Sequence, residues 1–139
     1  MISVLVADDH PANRDLVRAV LTPFGAQITE ASDGADAVAA AARAPFDLIL
    51  MDLRMPVLDG EEAMKAIRQG EGPNCRAPIL AFSAGADSPG AAARRDAGFN
   101  GDLAKPVLPM DLIAAVCAQA LDTSLDTKTS ALGAGVSFG

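Results

Sequence analysis

The sequence predicts an α/β domain of the doubly wound type, a single parallel sheet with helices packed on both faces. Short apolar runs alternate five times with longer stretches of helical periodicity, the pattern required by parallel strands joined through crossover helices. Most of those runs are nearly continuous in apolar residues, as strands buried on both faces must be. The 139 residues, 50% of them hydrophobic, amount to one domain with enough apolar surface for a core.

Ile2-Ser3-Val4-Leu5-Val6-Ala7 is the first strand, closed by the carboxylate pair Asp8-Asp9. His10-Pro11 opens a helix, because proline suits a first helical position. Leu16, Val17, Val20, Leu21 and Phe24 recur at helical spacing until Pro23 and Gly25 stop it. Gln27-Ile28-Thr29-Glu30-Ala31 alternates polar and apolar and reads as an edge strand. Residues 33–43 are alanine-rich and helical, with Asp33 near the N-terminus. Asp47-Leu48-Ile49-Leu50-Met51-Asp52 is the second clear buried strand and again ends in a carboxylate. Residues 54–60 read as a loop shaped by Pro56 and Gly60. The helix over 61–69 carries Glu61 and Glu62 in its first turn, where the helix dipole favours acids.

Residues 70–77 hold Gly, Pro and Asn and read as a loop. Pro78-Ile79-Leu80-Ala81-Phe82 is the third buried strand, followed by Ser83. Residues 91–97 form a weakly patterned helix, and the short strand Gly101-Asp102-Leu103-Ala104 runs into Lys105-Pro106. Leu112, Ile113, Val116, Cys117, Ala120 and Leu121 mark the clearest amphipathic helix, with Cys117 expected in the packing. The ordered domain is therefore expected over 1–121. Residues 122–139, which lose periodicity and gain Ser, Thr and Gly, read as a flexible tail or linker.

Composition excludes several classes of function. A formal net charge of −7 argues against nucleic acid as a partner, since phosphate binding wants a basic face. No apolar run is long enough to span a bilayer, and no basic segment precedes the first strand, so no membrane partner and a cytoplasmic location are expected. Cys75 and Cys117 are too few for a disulfide framework or a metal ribbon. Aromatic residues are only 4%, without Trp or Tyr, which disfavours flavin or base stacking.

Polar residues collect where such a sheet places its ligands, outside the carboxyl ends of the strands. Asp8 and Asp9 end the first strand, Asp52 the third, Ser83 the fourth and Lys105 the fifth. In the flavodoxin-like order 2-1-3-4-5, the first and third strands are neighbours and their terminal carboxylates meet. Like charges so close in a partly buried pocket need compensation. Lys105 supplies one positive charge, and Mg²⁺, a hard cation suited to a few carboxylates, waters and a phosphate oxygen, would supply the rest. A carboxylate so placed can attack a phosphoryl donor to form an acyl phosphate, with Ser83 donating to the phosphoryl oxygens.

The chain resembles the receiver domain of two-component response regulators, over residues 1 to about 121. The resemblance is carried by Val4-Leu5-Val6-Ala7-Asp8-Asp9, Met51-Asp52-Leu53-Arg54-Met55-Pro56, Asp59-Gly60, Ser83-Ala84 and Lys105-Pro106, in order and at the matching strand ends. It implies the flavodoxin-like (βα)5 fold and a module that is not an enzyme beyond its own aspartyl phosphorylation and dephosphorylation. It implies Asp52 as the phosphoacceptor. Mg²⁺ would be held by Asp9, Asp52 and the backbone carbonyl of Arg54, with Asp8 acting through water. Ser83 and Lys105 would contact the phosphoryl group, and the Lys105-Pro106 bond would be cis. The implied partners are a histidine kinase or histidine phosphotransfer protein and a downstream protein target. One position departs from the family: a Tyr or Phe switch usually stands three residues before the lysine, and here it is Asp102. Arg54 and Gly85 occupy positions where the family tunes acyl-phosphate lifetime.

Plainer roles stand beside these. Asp8-Asp9 could cap the first helix, and Asp52 could be a turn residue. His10 reads as a capping or surface residue, Cys75 as an exposed loop thiol, and Arg94-Arg95 as a solvated helix face. As wholes, a degenerate receiver that binds partners without switching is the main alternative, motivated by Asp102. A phosphatase of the haloacid dehalogenase class would want a second Asp at Arg54, and a flavodoxin-like flavin carrier would be coloured.

Overall fold

The computed structural model describes residues 2–70, 72–83 and 89–119. Five strands, β1 (Ser3–Ala7), β2 (Gln27–Ala31), β3 (Leu48–Asp52), β4 (Ile79–Ser83) and β5 (Gly101–Ala104), form one parallel sheet of order β2-β1-β3-β4-β5. The connecting helices are α1 (Pro11–Leu21), α2 (Gly34–Arg43), α3 (Gly60–Gln69) and α4 (Ala91–Ala97), and residues 109–119 form α5. The doubly wound flavodoxin-like fold read from the sequence is the one observed. Ala84 and Gly85, Ala120 and Leu121, and the tail expected over 122–139 lie outside the described residues.

Alternation along the strands divides the core in two. Leu5, Ala7, Ile49, Met51, Ile79 and Ala81 face α2 and α3, against Ala37, Ala40, Ala41, Ala63, Met64 and Ile67. Val4, Val6, Leu48, Leu50, Leu80, Phe82 and Leu103 face the other way, against Val17 and Leu21 of α1 and Leu112 and Val116 of α5. The central strands are buried on both faces, which is why their sequences lack alternation. β2, at the edge, keeps its alternation.

Details differ from the sequence reading. Phe24 lies in a short 3-10 turn after α1, with Gly25 in the left-handed conformation behind it, and its ring is exposed. Gly60 begins α3 rather than ending the loop, because Asp59 caps that helix reciprocally with Glu62. Cys117 is exposed, pointing away from the Leu112–Val116 stripe, so it is not a packing residue. Cys75 is half-buried rather than exposed. No helix among the described residues is long and apolar enough to cross a membrane.

Two glycines fix close approaches, Gly60 at the start of α3 against the end of β3 and Gly34 at the start of α2 against the loop before α3. A Cβ on Gly60 would meet the Asp52 carbonyl oxygen at 2.1 Å, and one on Gly34 would meet the Leu58 carbonyl oxygen at 1.8 Å. Gly34→Ala and Gly60→Ala are each expected to lower the unfolding free energy by about 1–3 kcal/mol. Gly72→Ala, whose nearest neighbour would lie 3.7 Å away, should stay within about 0.5 kcal/mol of wild type. Urea unfolding of the three variants checks this ordering.

Candidate functional site

The order of the strands decides which side chains meet. β1 and β3 pair in register from Val4 with Leu48 to Ala7 with Met51, so Asp8 and Asp52 emerge side by side at their carboxyl ends. Both carboxylates are buried, Asp8 at 0% exposure and Asp52 at 2%. One carboxylate oxygen each from Asp8, Asp9 and Asp52 and one imidazole nitrogen of His10 all lie within 4.8 Å of one another.

Each acid is held differently. Asp8 Oδ1 accepts from the His10 backbone N–H at 2.9 Å, and Oδ2 accepts from Asn13 Nδ2 at 2.9 Å. Its carbonyl accepts from Arg14 Nη1 at 2.6 Å, while Arg14 Nε donates to Glu30 on the edge strand at 3.0 Å. Asp8 is thus fixed from α1 and β2 together. Neither Asp8 nor Asp9 caps α1; the cap position is His10, which makes no side-chain capping bond. The His10 ring is exposed, with Nδ1 3.0 Å from Asp9.

Asp52 receives Lys105 Nζ at 2.7 Å and the Arg54 backbone N–H at 3.3 Å, both on Oδ1. Among the described residues Oδ2 has no donor. Burial pushes the Asp52 carboxyl above the ordinary carboxylate range. The Asp8 charge pushes the same way, while Lys105 and the Arg54 N–H pull against them. Lys105 reaches Asp52 from the end of β5 across β4, and the Lys105–Pro106 peptide after it is cis. Asp52, Lys105, Ser83 and Arg94 line one open cleft of about 490 Å³, with Leu53, Arg54, Phe82 and Pro89.

The fold therefore brings Asp8, Asp9, Asp52, Arg54, Ser83 and Lys105 to one end of the sheet. Sequence reasoning overlooked two kinds of neighbour. Asn13 and Arg14 were visible only as polar residues one turn into α1. Arg94, expected on a solvated face, is mostly buried, and its Nε donates to Asp102 Oδ2 at 2.8 Å. Nothing in the local sequence marks it, because only the packing of α4 over β5 creates the pair.

A family model for the response regulator receiver domain matches residues 4–117. The chain belongs to that family. The sensor histidine kinase GacS of Pseudomonas protegens is 37% identical over 106 residues, covering 75% of this chain and 12% of the kinase. This receiver domain thus spans about an eighth of the length of that relative. The solved receiver domain of sensor histidine kinase PA1611 from Pseudomonas aeruginosa PAO1, with a magnesium ion coordinated in its active-site cleft, superposes with a TM-score of 0.76. It shares 36% identity, over 86% of this chain and 97% of that one. The receiver domain of Ssk1, in its complex with the histidine phosphotransfer protein Ypd1 from Saccharomyces cerevisiae, matches with a TM-score of 0.77 at 27% identity. That match covers 86% of this chain and 89% of the other. Receiver domains are modules of two-component signalling rather than conventional enzymes.

The raised Asp52 carboxyl has a thermodynamic consequence in metal-free protein. A folded-state pKa above the unfolded one means that the folded state holds this proton more tightly. The resulting stabilisation is complete below the unfolded value and is lost as pH rises through the folded one. Asp52→Asn removes the ionisation, so its Tm at pH 7 should exceed that of wild type. The difference should shrink as pH falls toward 3.8, the unperturbed value. Thermal melts from pH 3 to 8 measure it, and a difference that grew toward acid would contradict the account.

Proposed function

We propose that this receiver domain accepts a phosphoryl group on Asp52, and that the change is read by a protein partner. The single observation that carries the reading is the asymmetry at Asp52. Its two donors converge on Oδ1, which leaves Oδ2 without a donor among the described residues, in a side chain that lines the cleft. Oδ2 attacks the phosphorus of the donor. The bond from phosphorus to the donor atom breaks with its electron pair, and an acyl phosphate remains. Lys105, 2.7 Å from Oδ1, is within reach of the new phosphoryl oxygens, and Ser83 lines the same cleft.

The donor set fits a hard divalent cation, since it combines buried and half-exposed carboxylate oxygens with too little positive charge of its own. Mg²⁺ held by Asp8, Asp9, Asp52 and the Arg54 carbonyl would offset those charges and draw in a phosphoryl oxygen. The exposed His10 imidazole is a poor ligand for such an ion and is left out of the set. Asp8 is placed for a water-mediated role, since both its oxygens already accept protein donors.

The phosphoryl donor is a histidine on a kinase or phosphotransfer protein, by likeness to the Ypd1 complex of the Ssk1 receiver, and the setting is the cytoplasm. Switching is favoured over a phosphorylation-insensitive module because Arg94 of α4 lines the same cleft as Asp52. Incubation with acetyl phosphate and Mg²⁺ should add the mass of one phosphoryl group, lost on Asp52→Asn and on chelation with EDTA. Lys105→Ala should slow the reaction by about 10²-fold or more. Labelling of Asp52→Asn at the wild-type rate would defeat the assignment.

A further inference from the structure

Asp102 lies in β5 with its side chain 1% exposed, an expensive place for a carboxylate unless donors surround it. Strand register explains its company. Asp102 is paired with Ala81, so Ser83, two residues further along the same face of β4, is its diagonal neighbour. The donors are unevenly shared. Ser83 Oγ and both Nε and Nη2 of Arg94 donate to Oδ2, while the buried Oδ1 has no hydrogen-bond partner among the described residues. Ser83 and Arg94 also line the cleft that holds Asp52 and Lys105.

A serine hydroxyl has a single proton to donate. Here that proton is directed to Asp102 Oδ2. Any anion seated on Asp52 that draws on Ser83 must take the proton from Asp102. Among the described residues the carboxylate then keeps Arg94 as its donor, and its Oδ1 gives the guanidinium a second oxygen on which to close in the bidentate arrangement. Arg94 belongs to α4 and Asp102 to β5, so the exchange moves the tether between these two elements.

We propose that Asp102 is a positioning residue that competes with the phosphoryl group of Asp52 for the Ser83 hydroxyl, linking occupancy of the cleft to the Arg94–Asp102 ion pair. The inference rests on the reading of Asp52 as phosphoacceptor. It gives the position where the family carries an aromatic switch a different mode of action, in which a charge replaces a ring. Linkage makes the effect reciprocal: phosphoryl occupancy weakens the hold of Asp102 on Ser83 by the same factor by which that hold weakens phosphoryl binding.

The test is beryllofluoride binding with Mg²⁺ to wild type, Asp102→Asn, Ser83→Ala and the double variant. Removing a negative charge near the cleft tightens an anion in any background, so the diagnostic quantity is the ratio of the Asp102→Asn effects with and without the hydroxyl. A ratio above about twofold, on the order of fivefold, is expected, and Ser83→Thr should restore it in place of Ser83→Ala. A ratio below twofold overturns the proposal and leaves the Asp52 reading intact. Failure of wild type to bind beryllofluoride at all overturns both. Should Asp102→Asn not fold, the Asp102 carboxyl ¹³C resonance decides. It should move on binding in wild type and Ser83→Thr and by less than half as much in Ser83→Ala; equal movement in all three overturns the proposal.

Discussion

Two carboxylates at the ends of adjacent parallel strands repel one another, and burial makes that repulsion expensive. Asp8 and Asp52 are in this position because β1 and β3 pair directly and in register. The surroundings respond to this constraint. Asn13 and the His10 N–H occupy both oxygens of Asp8, and Lys105 and the Arg54 N–H satisfy one oxygen of Asp52. The compensation is incomplete at Asp52, whose carboxyl stays above its ordinary range. That residual excess of negative charge is what a cation, and a phosphoryl group carried with it, would relieve.

Such a site requires a rigid frame, because donors help only where they are held in advance. Gly60 allows the α3 backbone to touch the end of β3 at Asp52 itself, and the Asp59–Glu62 capping box fixes where α3 begins. On the opposite side Arg14 joins the Asp8 carbonyl to Glu30 of the edge strand. Farther away, Arg68 donates to the carbonyls of Cys75, Ala77 and Gly98 and to the Asn100 side chain, tying the end of α3 to the entrances of β4 and β5. The site lies between elements whose separations are set by backbone contacts rather than by flexible side chains.

Most of this frame was legible in the sequence because it depends on local patterns. Continuous apolar runs marked the strands buried on both faces, and an alternating run marked β2 at the edge. The acids and the lysine were legible because each sits at a strand end, where periodicity stops abruptly. Residues whose roles come from packing were not legible. Cys117 shares the spacing of the apolar stripe of α5 yet faces solvent, since spacing alone does not fix where the edge of a stripe falls. Arg94 reads as solvated in a short alanine-rich helix, and only the seating of α4 over β5 buries it against Asp102. The Asp59–Glu62 cap was present as an acid–x–x–Glu pattern, but the glycine between them drew the reading toward a turn.

Asp102 shows why an exception to a family pattern is informative. An aromatic ring at a strand position acts by filling or vacating volume, and it is nearly indifferent to charge. A buried carboxylate responds to charge above all, and its low-dielectric surroundings shield it from salt far better than a surface pair. With Asp102, the cleft and its wall hold four acids, Asp8, Asp9, Asp52 and Asp102, against Arg54, Arg94 and Lys105 among the described residues. Arg94 serves both the wall and the cleft, so a further anion beside Asp52 must alter the balance at Asp102. The route from the site to α4 is then a redistribution of hydrogen bonds around one fixed charge, and it requires no large side chain to rotate.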